Sequence, residues 1–482
     1  MKHSLQAISF GTMLCVVTVS PTIADEAAIH SSLSSVRTSN TAAVVSAANA
    51  FIATLDATQL AETVYPFTLT YAEHWSNLPG STRNGPTLGP ATTTTGVTGA
   101  AAPTGGGAGG TPPTGTPPGG MGVGGMGMGG MGMAGGPGGT TTVTLPTFTM
   151  TDTQRAAALA LAQAALSDVG YATVARIRAA DDVLVATAGS GYGSGLYHVA
   201  ILGTPSTTAP WMLQIGGHHL AYNITYNATK VSATPLFIGT EPPTFSVLTD
   251  GTTVVSGTYN GSTLYFVNGQ STTTAPTGSV ASNVAPLESQ RAAVYNLLSL
   301  IQADTTQAAA AKISGSFDDV TMGVASSGND TNYPFNASTE TTELYPTGTT
   351  NRGTLFTSLT SKEQAYVIAA IAAWVRTQKT DVASELYQNY VSPAALAQTY
   401  VGYAPGTGGT ANFSANPNFE TNPSLGAGSY FRIDGPRVWI EAIVQTAVVF
   451  RNEGWVHYHS LWRDKTADYG ACFSSGADAS AC

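Results

Sequence analysis

Apolar residues recur at three- and four-residue intervals where the chain first acquires a clear pattern. Between residues 41 and 62, Val44, Ala48, Phe51 and Leu55 fall on the same side of a helical wheel. A helix with one apolar face buries that face against the rest of a folded domain. The pattern therefore predicts that a helix within residues 41–62 opens the folded region.

Further helices are predicted from capping signals that precede apolar runs. A Thr and a Gln three residues apart begin the Ala- and Leu-rich run 151–166, which matches a capping box. The same spacing occurs at Ser361 and Gln364, just before the apolar run 366–375. A weaker version at 287–291 leads into another apolar run. Three more helices are expected at these places.

Short runs of β-branched and aromatic residues, bounded by Gly, Pro, Asn and Thr, indicate antiparallel strands. Such runs lie at 195–204, 211–223, 230–238, 252–259, 263–267 and, as a longer β region, 430–462. Helices and strands thus come in blocks and do not alternate as βαβ units. The sequence predicts an α+β fold, with an antiparallel β-sheet core and several packed α-helices.

One segment differs from the rest in composition. Residues 86–144 consist mostly of Gly, Pro, Thr and Met, with almost no large apolar side chains. Such a stretch cannot bury enough surface to offset its ordering entropy. We therefore expect a long disordered insertion within a single domain at 41–470, with a flexible segment at 25–40 before it and a C-terminal tail at 471–482.

The N-terminus has the features of a secretory signal peptide at residues 1–24. Lys2 precedes an apolar run at 8–19, and Thr22-Ile23-Ala24 gives a small-x-Ala cleavage pattern. No later stretch approaches the roughly 18 to 20 apolar residues that a spanning helix needs. We expect a secreted or periplasmic protein without membrane insertion. In that oxidising compartment Cys472 and Cys482 are expected to pair, the alternative being two free thiols on a tail.

Charge and motif content exclude several classes of partner. Charged residues make up only 10% of the chain, the net charge is −10, and there is no basic run that could follow a phosphate backbone. Nucleic acid is therefore not an expected partner. The glycines of 191–195 lack dinucleotide spacing and a phosphate-loop lysine, so no nucleotide site is expected. A small-molecule substrate or a metal ion remains, and the oligomeric state is open.

Histidines are concentrated in two short motifs that suit metal binding. Side chains two apart on a strand point the same way, so His457 and His459 would share one face. His218 and His219 are adjacent after a strand that ends in two glycines, so only one of them can readily join the same centre. The other is expected to form a hydrogen bond. Glu441 lies on a further predicted strand and would serve as a fourth ligand or as a general base.

Imidazole ligands with a carboxylate suit a divalent transition metal, of which Zn and Cu are the main candidates. The motifs would then have to meet in space, with ring nitrogens about 3 to 4 Å apart. An open coordination position allows hydrolysis or oxidation of a small substrate outside the cytoplasm. Five methionines in the insertion would favour Cu if they bind metal, whereas the alternative is low-complexity sequence without ligands; these are Met121, Met126, Met128, Met131 and Met133.

Two other interpretations of the same residues remain open. In the first, acid–base catalysis proceeds without metal, with His459 or Glu441 as the base and Arg437 or Arg463 holding an anion. In the second, the histidines are structural, and they lie within an ion network formed by Arg432, Asp434, Arg463 and Asp464. A non-catalytic secreted protein that handles copper or binds peptide or carbohydrate would fit this second interpretation. Asp464 and the two arginines, Arg437 and Arg463, complete the catalytic candidates beside Glu441.

Several passages together resemble a known family. They are Gly216–Leu220, Pro235–Pro242, Tyr430–Glu441, His457–Asp464 and Asp468–Gly470. The chain resembles, over roughly residues 43–470, the exported microbial proteins grouped as domain of unknown function 3500. That resemblance implies export and a shared fold, and it implies no particular reaction. The Gly- and Met-rich insertion departs from the family pattern and is interpreted as an added loop.

Overall fold

A computed structural model describes residues 40–81, 83–89, 148–228, 230–259, 262–323, 345–406, 409, 411–414, 427–450, 455–475, 479 and 482. The predicted signal peptide and nearly all of the predicted insertion, including its methionines, lie outside these residues.

Ten α-helices occur in the described part of the chain. They are α1 (Thr41–Ile52), α2 (Ala57–Ala61), α3 (Leu69–Ala72), α4 (Asp152–Ala165), α5 (Asp168–Ala188), α6 (Glu288–Ala303), α7 (Thr305–Ala311), α8 (Ser361–Val375), α9 (Thr380–Val391) and α10 (Pro393–Leu396). Among these helices none combines the length and apolar character needed to cross a membrane.

Sixteen β-strands form two sheets. They are β1 (Val64–Tyr65), β2 (His198–Leu202), β3 (Trp211–Gly217), β4 (Leu220–Asn227), β5 (Lys230–Ser232), β6 (Leu236–Thr240), β7 (Phe245–Leu248), β8 (Thr253–Tyr259), β9 (Ser262–Val267), β10 (Gln270–Thr272), β11 (Val280–Val284), β12 (Thr354–Leu355), β13 (Tyr400–Ala404), β14 (Ser429–Asp434), β15 (Val438–Thr446) and β16 (Val456–Asp464). The predicted α+β class, with mostly antiparallel sheets, is confirmed.

The larger sheet has eleven strands in the order β1-β2-β3-β4-β6-β16-β15-β14-β13-β12, with β5 paired to β4. The smaller has five strands in the order β10-β9-β8-β7-β11. Only the β1–β2 pair is parallel among these strands. In the larger sheet β16 lies between β6 and β15, so the strand that carries His457 and His459 is central and both of its edges are paired.

The two faces of the larger sheet differ in character. One face is apolar, and Trp374 of α8 packs on it, donating from its indole to the Ser460 hydroxyl at 3.2 Å. The opposite face, here called the polar face, carries buried polar side chains that alternate with the apolar ones along each strand. Apolar side chains such as Phe237 and Leu461 lie among them. The polar members include Gln214, Asn223, Glu241, Arg432, Glu441, Gln445, His457, His459 and Arg463. Burial of polar groups requires partners, and these partners build the site described below.

Three predicted elements are divided in the structure, one of which is the strand predicted at 230–238, observed as β5 and β6. The predicted helix at 41–62 is two helices, because the Asp56 side chain accepts from the amides of Thr58 and Gln59 and caps a new helix there. The predicted strand at 211–223 is the β3–β4 hairpin. Its turn is formed by His218 and His219, and His219 has a positive φ of 60°.

The start of α8 and the C-terminal disulfide can also be compared with the predictions. The capping box of α8 begins one residue earlier than predicted. Thr360 accepts from the Glu363 amide, and the Glu363 carboxylate accepts from the Thr360 amide at 2.7 Å. At the C-terminal end, Cys472 and Cys482 form a disulfide, as expected from the sequence.

Candidate metal centre

Three histidines from distant parts of the chain meet on the polar face. One ring nitrogen each from His219, His457 and His459 lies within 4.8 Å of the others. The ring centroids are 4.7 to 5.6 Å apart, and each residue is about 5% exposed or less. Tetrahedral Zn–N bonds near 2.1 Å require the ligand nitrogens to be roughly 3.4 Å apart. The 4.8 Å limit on the nitrogen-to-nitrogen distances is wider, so the rings would move slightly closer together around an ion. The three-histidine group can hold a metal ion.

Strand register explains why these histidines meet. His459 on β16 pairs with Gly239 on β6, and the Gly239 amide donates to the His219 carbonyl at 2.8 Å. Gly239 therefore lies between His219 and His459, and the alternation of β16 places His457 on the same face. The predicted shared orientation of the two β16 histidines is confirmed.

Gly239 also provides the space that the imidazoles occupy. A Cβ at this position would lie 3.0 Å from Cδ2 of His219 and 3.0 Å from Cδ2 of His459. It would also lie 2.9 Å from the Tyr458 carbonyl oxygen. Both rings pack across the bare Cα, so a larger residue at 239 would separate them.

The outer nitrogens of two rings are held by acceptors. His459 Nδ1 lies 2.8 Å from the Asp319 carboxylate, and His457 Nδ1 lies 3.0 Å from the Thr446 carbonyl oxygen. Because these oxygens accept hydrogen bonds, each Nδ1 carries the proton, and each Nε2 keeps its lone pair. His459 Nε2 is buried and has no hydrogen-bond partner among the described residues. Metal-ligating histidines are typically oriented in this way.

Burial keeps two of the imidazoles neutral. The pKa of His219 lies well below its usual range because of burial and then because of the neighbouring histidines. Burial and the proximity of His459 also hold the pKa of His457 well below its usual range. The neutral imidazole is the form that binds a metal ion.

Carboxylates surround the centre without joining the three-histidine group. Glu241 Oε2 lies 3.9 Å from His457 Nδ1, and its carboxylate accepts from the amides of residues 448–450. Burial raises the pKa of Glu241 despite these hydrogen bonds. Burial alone would raise the pKa of Asp319, but the interactions with His459 and the hydrogen bond from the Val320 amide together outweigh burial and lower that pKa.

His218 lies next to the centre and points away from it. Its ring stacks on that of His219 with centroids 3.7 Å apart, and its Nδ1 lies 2.6 Å from the Asp181 carboxylate of α5. The sequence suggested that one histidine of the pair joins the centre and the other forms a hydrogen bond. The structure has this division of roles, with His219 in the group. The two residues form a turn, so the reason is not strand alternation.

Glu441 lies on the polar face but away from the three imidazoles. Its strand position pairs with Leu461, two residues along β16 from His459, which corresponds to about 7 Å. The carboxylate accepts five hydrogen bonds, from the amide and hydroxyl of Thr321, the Met322 amide, the Tyr430 hydroxyl and the Trp439 indole. Neither a metal ligand nor an arginine is its partner in this arrangement.

The other catalytic candidates lie near the C-terminal end of β16. Arg463 is four residues, or about 13 Å, beyond His459 and forms an ion pair with Asp468 at 3.0 Å. Arg437 pairs with Asp464 at 2.6 Å, and Asp464 also accepts from the Tyr390 hydroxyl. These charges are matched to each other and are separated from the histidines.

The network around Asp434 differs from the one envisaged from the sequence. Asp434 pairs with Arg352 at 2.6 Å and with Lys465, neither of which was singled out. Arg432 lies over the Trp439 ring, with its guanidinium carbon 4.9 Å from the ring centroid.

Sequence reasoning did not identify four residues that shape the centre. Asp319 and Asp181 reach the histidines from a loop and a helix, and no local pattern marks them. Gly239 and Glu241, in contrast, lie within Pro235–Pro242, one of the passages that carry the family resemblance. The presence of a glycine and an acidic residue in this passage was the available sign that it could be part of the site.

Comparison with known proteins gives a family but no reaction. Neither curated proteins nor solved structures provided a match to this chain. A family model described as "Protein of unknown function (DUF3500)" matches residues 143–471, about two thirds of the sequence. The match contains all three histidines of the candidate centre. The chain therefore belongs to the DUF3500 family.

Proposed function

We propose that this protein binds one divalent transition metal ion, Zn or Cu, through His219, His457 and His459. The supporting observation is that three buried imidazoles converge while Asp319 and Thr446 hold the outer nitrogens of two of them. A purely structural role would be expected to give His459 Nε2 a partner, since an unpaired buried polar atom is costly. A metal ion would satisfy this atom.

We propose hydrolysis of a small polar substrate as the reaction. Three protein ligands would leave one coordination position of the metal ion open. A metal ion held in this way would bind a water molecule and lower its pKa. A polar cleft of about 420 Å³, of the size that small molecules occupy, includes Asp318, Gln445 and Thr446 in its lining. Thr446 connects the two places, because its carbonyl holds His457.

Elemental analysis of protein purified without an affinity tag tests the metal site. We expect about one metal ion per chain in the wild type and none after the double substitution His457→Ala, His459→Ala. A matched control is His198→Gln, which removes another largely buried histidine and should leave the metal content unchanged. Metal retained by the double variant at wild-type stoichiometry would refute the site.

The reaction is tested with chromogenic carboxylic and phosphoric esters, comparing the metal-loaded protein with the metal-free protein. Metal-dependent turnover that is lost with His459→Ala supports a hydrolase. Bound copper with oxidation of a phenolic substrate and no hydrolysis would replace hydrolase by oxidoreductase. A bound metal without turnover of either kind would favour the non-catalytic metal-binding protein.

We further propose that the protein is exported after cleavage of residues 1–24. The Cys472–Cys482 disulfide supports an oxidising compartment, because such bonds are rare in the cytosol. Fractionation with N-terminal sequencing should give a mature chain that begins at Asp25 outside the cytoplasm. A cytoplasmic chain that retains its N-terminus would contradict export.

A further inference from the structure

We propose that Asp319 and Glu441 are positioning residues for the metal centre, Glu441 by fixing the loop that presses Asp319 against His459. This inference rests on the proposed metal site. The loop comprises residues 318–322 and follows α7. It covers the polar face beside the histidines, and its contacts with that face come from side chains of β15 and β16.

Glu441 is the main anchor of this loop. Two consecutive loop amides, those of Thr321 and Met322, donate to its carboxylate at 2.6 and 3.0 Å, and the Thr321 hydroxyl donates at 2.8 Å. Tyr430 and Trp439 donate from the sheet, both at 2.7 Å. The Glu441 side chain is fully buried, and its bonds with Met322, Tyr430 and Trp439 are buried as well, whereas Thr321 donates from the edge of the site. Hydrogen bonds to a charged group are stronger than neutral ones.

Two more side chains of the polar face hold the same loop. The Gln445 amide donates to the Asp318 carbonyl, and Arg463 Nε donates to the Met322 carbonyl at 2.8 Å. Glu441, Gln445 and Arg463 thus bind the backbone on both sides of Asp319. These three side chains bind main-chain groups of the loop and the Thr321 hydroxyl. By fixing the loop, they would fix the position of the Asp319 side chain.

Asp319 depends on these anchors because its carboxylate lies at the edge of the buried site. Its side chain is 44% exposed, whereas that of His459 is 6% exposed. A partly exposed carboxylate on an unsupported loop would lose much of its hydrogen bond to competing water. Held by the loop, it sets the direction of the His459 ring and directs Nε2 to the place where His219 and His457 converge. Glu441 acts on the centre through this chain of contacts and does not itself contact the metal site.

The test compares two adjacent aspartates. In Asp319→Ala the His459 ring loses its outer partner, and we expect the dissociation constant for Zn²⁺ to rise 10- to 100-fold, as is typical when a partner of a ligating histidine is removed. In Asp318→Ala the affinity should stay within a factor of two, because only the backbone carbonyl of Asp318 is used. Asp319→Asn keeps an acceptor oxygen and should restore part of the affinity.

A spectroscopic measurement separates positioning from general destabilisation. The visible absorption of the Co²⁺-substituted protein should shift in Asp319→Ala and be unchanged in Asp318→Ala, at a temperature where urea titration shows both to be folded. Glu441→Gln should weaken metal binding in the same direction. If Glu441→Gln fails to fold, the Asp319 variants still decide the role of Asp319, and Gln445→Ala, which removes another anchor of the same loop, tests the role of the loop. Unchanged metal affinity in the folded loop variant would refute that role.

The outcomes distinguish this inference from the proposed function. If the wild type binds neither Zn²⁺ nor Co²⁺, the metal site itself fails. If the wild type binds and Asp319→Ala binds with the same affinity and spectrum, the positioning role is refuted while the metal site stands.

Discussion

At the scale of single residues, the space at position 239 controls the geometry of the three-histidine group. Gly239 lies between His219 and His459, and a Cβ at this position would force both rings to shift by a few tenths of an ångström. The ligand residues are therefore insufficient on their own to make the centre. A residue without any side chain is part of the site.

Substitution Gly239→Ala should weaken metal binding by at least tenfold, because the new methyl group would push both rings apart. The overpacking should also lower the free energy of unfolding by about 1 to 3 kcal/mol. Metal titration and urea unfolding measure the two effects. Gly216→Ala is the control, since its Cβ would have its nearest contacts at 3.5 and 3.6 Å, which is ordinary packing. Equal metal affinities for the two variants would show that the space is not needed.

The site residues also differ in how far their roles could be predicted from the sequence. The spacing of His457 and His459 on a strand was enough to predict that they share a face. The choice between His218 and His219 needed the turn geometry, in which one ring meets Asp181 and the other joins the centre. The role of Glu441 could not be predicted, because its partners Thr321 and Met322 lie about 120 residues away and have no recognisable pattern.

At the scale of elements, helices begin where a side chain can accept from their free amides. The α4 capping box at Thr151 and Gln154 was predicted correctly from its spacing and is present. For α8, two overlapping choices exist in the sequence, because both Thr360 and Ser361 have an acceptor residue three positions later. Thr360 is the cap in the structure, and Glu363 is 3% exposed in that arrangement. The sequence does not show that Glu363 is buried, so it could not decide between the two caps.

The two choices make different predictions for stability. Thr360→Ala should lower the free energy of unfolding by about 1 kcal/mol, the usual cost of losing an N-cap. Ser361→Ala should change it by less than 0.5 kcal/mol, since its hydroxyl is outside the cap. Urea unfolding followed by circular dichroism measures both. A larger loss for Ser361→Ala than for Thr360→Ala would return the cap to its predicted position.

At the scale of the whole molecule, buried histidines make the stability of the fold depend on pH. Burial lowers the pKa values of His198, His218, His219 and His457, and for His198 the value falls to about 4. A depressed folded-state pKa gives stability that is complete above about pH 6.5 and is lost as pH falls toward the folded value. Asp468 acts in the opposite sense, because burial raises its pKa to about 6 and its contribution is lost as pH rises.

Acidification from pH 7 to pH 5 should therefore destabilise the metal-free protein, with about 2 kcal/mol coming from His198 alone. His198→Gln should flatten this pH dependence, because glutamine does not titrate and can still donate to the Gly85 carbonyl that His198 contacts at 2.8 Å. Urea midpoints measured at both pH values test this. A variant with the wild-type slope would show that His198 is not responsible.

The separation of the histidines along the chain determines when a metal ion can enter. His219 belongs to the β3–β4 turn, whereas His459 lies about 240 residues later on β16, and β6 must pair with both strands before the rings meet. A nascent or translocating chain therefore has no centre until residues 456–464 have emerged and joined the sheet. Loading would be a late event that follows folding, and the ion acquired would be determined by the compartment in which folding is completed.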